Sequence, residues 1–112
     1  MEDEISSLIS KLNFIRTDVE KEIISCLVQN CIQQKNISAE VDYIAISNYT
    51  KKKGYANNVT VDALTRLTST YLIPVRWERI KINGTPQKFE YYSINDEIGI
   101  LLKDYMKKYE TK

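Results

Sequence analysis

Residues 60–94 constrain this chain more than any other stretch. Residues 60–72 have an apolar stripe of Val61, Leu64, Leu67, Tyr71 and Leu72 at helical spacing, which predicts one amphipathic helix. Ile73 and Pro74 stop it, because proline cannot continue the backbone ladder. Two runs of strand-forming residues follow, 75–82 and 87–94, separated by Asn83, Gly84, Thr85 and Pro86. A four-residue loop over 83–86 would place Ile82 opposite Gln87, Ile80 opposite Phe89, Arg79 opposite Glu90 and Trp77 opposite Tyr92. The Arg79–Glu90 opposition favours that register, and a slip of one residue would exchange the two faces.

The rest of the chain reads as a support for this helix and hairpin. Ile5, Leu8, Ile9 and Leu12 mark a first helix over 3–14, with Glu2, Asp3 and Glu4 suited to its N-terminal dipole. Thr17 and Glu20 form a capping box ahead of a helix to about residue 34, whose wide apolar face (Val19, Ile23, Ile24, Leu27, Val28, Cys31, Ile32) belongs to the core. Ile37 suits a short strand that joins the hairpin. Ser38 then caps a helix over 39–53 with Val41, Ile44, Ala45 and Tyr49 inward, and Gly54 takes its left-handed end. Asn58 or Thr60 starts the helix that ends near 72. Asn95 caps a last helix with Ile98, Leu101, Leu102, Tyr105 and Tyr109 on one stripe.

Charge is distributed unevenly. The chain has net charge +1, but residues 51–88 carry eight basic and two acidic groups, a net +6. The other segments are all net negative. Positive charge therefore coincides with the helix and hairpin, as a nucleic-acid contact requires. The outer face of the 60–72 helix is expected to carry Asp62, Thr65, Arg66, Ser69 and Thr70. These are mostly short hydroxyls that permit close approach, beside one arginine able to pair with guanine. Thr60 joins them at the helix start. Arg79, Lys81, Asn83 and Lys88 place polar and charged groups along the hairpin toward its tip. Lys51, Lys52 and Lys53 either satisfy a helix C-terminus or contact phosphate.

Other chemistry finds little support. There is no histidine, no glycine-rich phosphate loop and no metal-ligand cluster, so neither an enzyme nor a metal or other cofactor is expected. Cys26 and Cys31 lack zinc-site spacing and read as buried free thiols, with an intermolecular disulfide as the alternative. No apolar run is long enough for a membrane span, and the acidic N-terminus is unlike a targeting peptide, so a cytoplasmic location is expected. No small-molecule ligand is evident.

Ala63, Leu64, Leu67, Tyr71, Leu72 and Ile73, followed by Phe89, Tyr91, Tyr92, Ser93, Ile94, Asn95, Ile98, Gly99, Leu101 and Leu102, form a pattern similar to winged helix-turn-helix transcription regulators. The closest likeness is to the small archaeal regulators and the MarR and PadR types. Tyr71 stands where that family often has glycine, and Asn95 where it often has threonine. The resemblance implies an α+β, mainly α, winged helix-turn-helix with a two- or three-stranded antiparallel wing sheet. It also implies a single domain over 1–112: an N-terminal helix (1–16), a winged-helix core (17–94) and a C-terminal helix (95–112). By the same resemblance the chain would be a homodimeric, sequence-specific regulator on double-stranded DNA, with helix 60–72 in the major groove. Wing 75–94 would lie on the backbone or minor groove, and half-sites would be ~34 Å apart. An archaeal virus or plasmid source fits the size. The apolar stripes Ile5, Leu8, Ile9, Leu12 and Ile98, Leu101, Leu102, Tyr105, Tyr109 exceed what such a core needs, so they are the expected dimer interface, with packing of the two helices within one chain as the alternative. The alternative is a winged-helix module for protein–protein contact in a replication, transcription or virus and plasmid assembly.

Overall fold

The computed structural model describes residues 2–110, and their side chains over 4–107. The order of elements is α1 (Glu2–Ser10), α2 (Asp18–Gln34), β1 (Val41–Asp42), α3 (Tyr43–Lys52), α4 (Asn57–Ser69), β2 (Val75–Ile82), β3 (Thr85–Tyr92) and α5 (Asp96–Glu110). It is a mainly helical α+β fold with one three-stranded antiparallel sheet in the order β1-β3-β2.

The α2 start follows its sequence signal. The Thr17 hydroxyl accepts from the Glu20 amide at 3.3 Å, while the Glu20 carboxylate reaches past Thr17 to accept from the Arg16 amide at 2.8 Å. Lys35 ends the helix in the left-handed region. Its buried face, from Val19 to Cys31, runs through the centre of the core. Both cysteines are buried and unbridged, and burial raises both thiols, Cys26 to about 11.

The connection to α3 departs from expectation. The short strand is at Val41–Asp42 rather than Ile37, and Asp42 rather than Ser38 caps α3, accepting from the Ala45 amide at 2.9 Å. The later start turns the helix, so Ile46 and Thr50 are buried while Ile44 and Ala45 face outward. An aspartate at the end of a strand outcompetes an earlier serine because strand pairing (Val41 with Tyr92, Asp42 with Tyr91) holds residues 41–42 extended.

The hairpin closes more tightly than the 83–86 loop. Ile82 pairs with Thr85 across a two-residue turn, with Asn83 at φ 52° and Gly84 at φ 79°. That is the type I′ geometry Asn-Gly favours, and it prevails over the Arg79–Glu90 pair. The register moves by two residues, so each side chain keeps its face. Val75, Trp77, Arg79 and Lys81 share one face with Tyr92, Glu90, Lys88 and Pro86. Pro86 occupies a non-hydrogen-bonded pair, where its missing N–H costs the ladder nothing.

The two ends of the chain join the same core. Ile5, Leu8, Ile9 and Leu12 are buried, although α1 stops at Ser10 short of the expected 14. Ile98 and Leu102 are fully buried, and Leu101 and Tyr105 are half-buried. The Tyr105 hydroxyl donates to the Glu4 carboxylate at 2.8 Å, linking α5 to α1. Ile5, Leu8, Ile9, Leu12, Ile98 and Leu102 are therefore packed within one chain, while Leu101 and Tyr105 keep part of their surface exposed. Tyr109 lies outside the residues whose side chains are described. Asn95 caps α5 by accepting from the Ile98 amide (2.8 Å), while its amide donates to the Leu72 carbonyl (2.6 Å). Among the described residues, no helix is long and apolar enough to cross a membrane.

Tyr71 adopts φ 59° at the end of α4 and is 91% exposed, so its ring contributes little packing. The left-handed region costs a side-chain-bearing residue roughly 1–2 kcal/mol. Tyr71→Gly is expected to leave stability unchanged or raise it by up to about 1 kcal/mol, after the greater unfolded-state freedom of glycine is offset. Chemical denaturation measures this. Leu8→Ala is expected to cost ~2–5 kcal/mol by the same assay, with no change in molecular mass by light scattering. A lower mass with unchanged stability would restore the α1 stripe as a subunit contact.

Candidate nucleic-acid interface

The site is built from α4 and one face of the β2-β3 hairpin. α4 starts at Asn57, ahead of both expected starts, Asn58 and Thr60, with Ala56 as its N-cap and no side-chain cap. Asn57 does not cap it. Its carboxamide oxygen accepts from the hydroxyls of Tyr43 and Ser47, tying α4 to α3. Thr60, Ala63, Leu64 and Leu67 form the buried side. Asn58, Val61, Asp62, Thr65 and Ser69 form the exposed side.

Two expected contact residues are not available. Thr60 is fully buried, and its hydroxyl bonds that of Thr50 at 2.7 Å; Thr50 in turn donates to the Ile46 carbonyl. Arg66 turns back toward α2. Its Nε and Nη2 bind both oxygens of the Glu20 carboxylate, and Nη2 also donates to the Phe14 carbonyl at 2.7 Å. The side of the guanidinium that would pair with guanine is thus occupied within the protein. The stripe that packs inward is Thr60, Ala63, Leu64 and Leu67, which leaves Arg66 beside Glu20 of α2 and Val61 outward.

The remaining expected residues divide into three groups. Asp62, Thr65 and Ser69 are exposed on α4, with Thr65 donating to the Val61 carbonyl at 2.8 Å and Ser69 to the Arg66 carbonyl at 3.4 Å. Thr70 lies just beyond the helix and donates to the Arg66 carbonyl at 2.5 Å. Lys51, Lys52 and Lys53 are exposed at the end of α3, shortly before the uncapped start of α4, and Lys53 lies over the Tyr49 ring at 5.6 Å. Arg79, Lys81 and Lys88 are exposed on one face of the hairpin, and Asn83 is in its turn.

The electrostatics of the hairpin are asymmetric. On one face Arg76 binds Glu40 at 2.9 Å and Glu78 at 3.2 Å, and stacks on Tyr91. On the other face Arg79 lies directly opposite Lys88, a like-charge pairing that destabilises a sheet, and Lys81 is next along. Among the described residues, none of these three cations joins a salt bridge. Glu90, the carboxylate of that face, accepts from the Tyr92 hydroxyl at 2.5 Å. At the base of the same face, an open groove of about 400 Å³ separates Trp77 and Tyr92 from Val61, Thr65 and Thr68 of α4.

Trp77, Asn58 and Val61 were not among the expected contacts. Trp77 was legible in principle, because it shares strand parity with Arg79 and Lys81. The exposure of Asn58 and Val61 depended on which stripe of α4 packs into the core. Among the described residues, no group of three or more His, Cys, Asp or Glu is placed to hold a metal ion. No protein-family model matches the chain, and no curated protein matches it.

Glu20 is 2% exposed. Burial pushes its carboxyl up, but the Arg66 hydrogen bonds, the Arg16 amide, the Arg66 charge and the Thr17 amide together hold it below its ordinary 4.5. A carboxyl depressed by folding adds stability above that ordinary value and loses it as the pH falls further. Glu20→Gln is expected to cost ~1.5–3 kcal/mol at neutral pH, the worth of hydrogen bonds to a charged group. It is also expected to flatten the loss of stability below pH 4.5. Denaturation curves across that range test both; an unchanged acid limb would remove Glu20 from the account.

Proposed function

We propose that this chain is a winged-helix protein that binds double-stranded DNA as a transcription regulator. The element order α2-β1-α3-α4, with β1 paired to the far strand of a following hairpin, supports the winged-helix reading. One observation carries the DNA reading: Arg79, Lys81 and Lys88 crowd one hairpin face that holds a single carboxylate, Glu90, and none of the three forms a salt bridge among the described residues. Phosphate oxygens relieve such crowding, and the gain is sequence-independent. Lys51–Lys53 and the start of α4, which has no side-chain cap, add a second phosphate contact, which the helix dipole favours.

In this reading the hairpin leads and α4 follows. The exposed side of α4 offers Asn58, Asp62, Thr65 and Ser69 to base edges or phosphates, but no cation. Sequence preference would then rest on these short polar groups and on DNA shape. Pairing of two copies belongs to the proposal through the resemblance, across a surface other than the buried terminal stripes.

The experiment is fluorescence anisotropy of a labelled random duplex at two salt concentrations. Binding is expected to fall steeply with salt, and each of Arg79→Ala, Lys81→Ala and Lys88→Ala to weaken all duplexes alike. Each should also lower the salt slope by about 1. The exposed Tyr71, Trp77 and Val61 favour a second reading, a module for protein contact. Absence of duplex binding at low salt would select it.

A further inference from the structure

Trp77 is the single tryptophan of the chain and is 59% exposed, on the face that carries Arg79, Lys81 and Lys88. The Lys88 ammonium sits 3.0 Å from the centre of its ring. The ring also walls the groove of about 400 Å³ against α4, within the ~300–1,000 Å³ of small-molecule sites. That face carries three cations and one carboxylate, Glu90, which lies opposite Trp77, accepts from the Tyr92 hydroxyl and forms no salt bridge with the three cations among the described residues. An exposed aromatic surface beside a net positive face is the composition that binds single-stranded nucleic acid: bases stack on the ring and phosphates follow the charge. A closed duplex uses only half of this surface, because its base faces are covered by their own neighbours. α4 points the same way, since its exposed side carries Asp62 and no cation to draw it deeply into a major groove.

We infer that the base of the hairpin holds an unpaired base of DNA stacked on Trp77, with the flanking phosphates on Arg79, Lys81 and Lys88. The protein therefore prefers duplexes that carry a single-stranded segment over fully paired ones. The inference rests on the DNA-binding reading above and narrows its substrate. Lys88 has a defined part: a base arriving on the ring displaces its ammonium, which moves to a phosphate.

The test titrates the intact protein into a closed duplex, the same duplex with a thymidine tail, and the tail alone. DNA anisotropy and tryptophan emission are read together. The tailed duplex is expected to bind at least about fivefold more tightly than the closed one, the gain of one stacked base. The tail is expected to quench Trp77 emission. Trp77→Leu, checked for an unchanged melting curve, is expected to bring the affinities for tailed and closed duplexes together, whatever its effect on the closed duplex. Trp77→Phe is expected to retain part of the preference. Equal affinity for closed and tailed duplexes, or unchanged emission when the tail binds, overturns this inference and leaves duplex binding standing. Failure of every DNA to bind overturns the DNA-binding reading itself.

Discussion

The pairing of Glu20 with Arg66 is the constraint on which the arrangement of the site depends. A carboxylate that is almost wholly buried is costly without compensation. Here it receives both nitrogens of the Arg66 fork and the Arg16 amide. Arg66 also holds the Phe14 carbonyl, so one guanidinium fastens the α1–α2 connection and the start of α2 to the last turn of α4. This fixes which side of α4 faces solvent. Packing of Ala63, Leu64 and Leu67 supplies most of the burial of α4, and the ion pair adds the rotational register that apolar contact alone leaves loose.

The hairpin follows a different logic. Its turn is strongly determined, yet its basic face is unfavourable by itself: Arg79 and Lys88 are opposed and Lys81 is adjacent. The neighbouring face balances its cation with Glu40 and Glu78, so the same sheet has both a neutralised and an uncompensated side. Such a face adds little to stability, and the proposed DNA partner would relieve its crowding. The groove beside Trp77 gives that partner a place to rest an aromatic surface.

Much of the fold was legible because local rules agreed with tertiary ones. The Thr17–Glu20 box, the Asn83–Gly84 turn and the Asn95 cap each act through hydrogen bonds or backbone angles within a few residues. Tyr71, at the place where glycine is common in the resembling family, does adopt a left-handed angle. The misplaced features were those on which local signals compete. Ser38 and Asp42 are both good caps, and β1 pairing with Tyr91 and Tyr92 chose between them. Arg79–Glu90 and the type I′ turn implied different registers, and the turn prevailed. Of the candidate site, the basic hairpin face was readable from strand parity, whereas the exposed side of α4 was not.

The sequence by itself determined the number and order of the main helices, the position of the hairpin turn and the concentration of positive charge in residues 51–88. These depend on periodicity, short-range capping and composition. Only the tertiary structure decided the destination of Arg66 and Thr60, and the role of the terminal apolar stripes. An arginine on a helix surface is the same residue whether it meets solvent or a carboxylate 46 positions away. Likewise, a stripe such as Ile5, Leu8, Ile9 and Leu12 is equally apolar against its own core or a second subunit. Burial is a property of what lies opposite, and it was settled when α1 and α5 joined the core around α2.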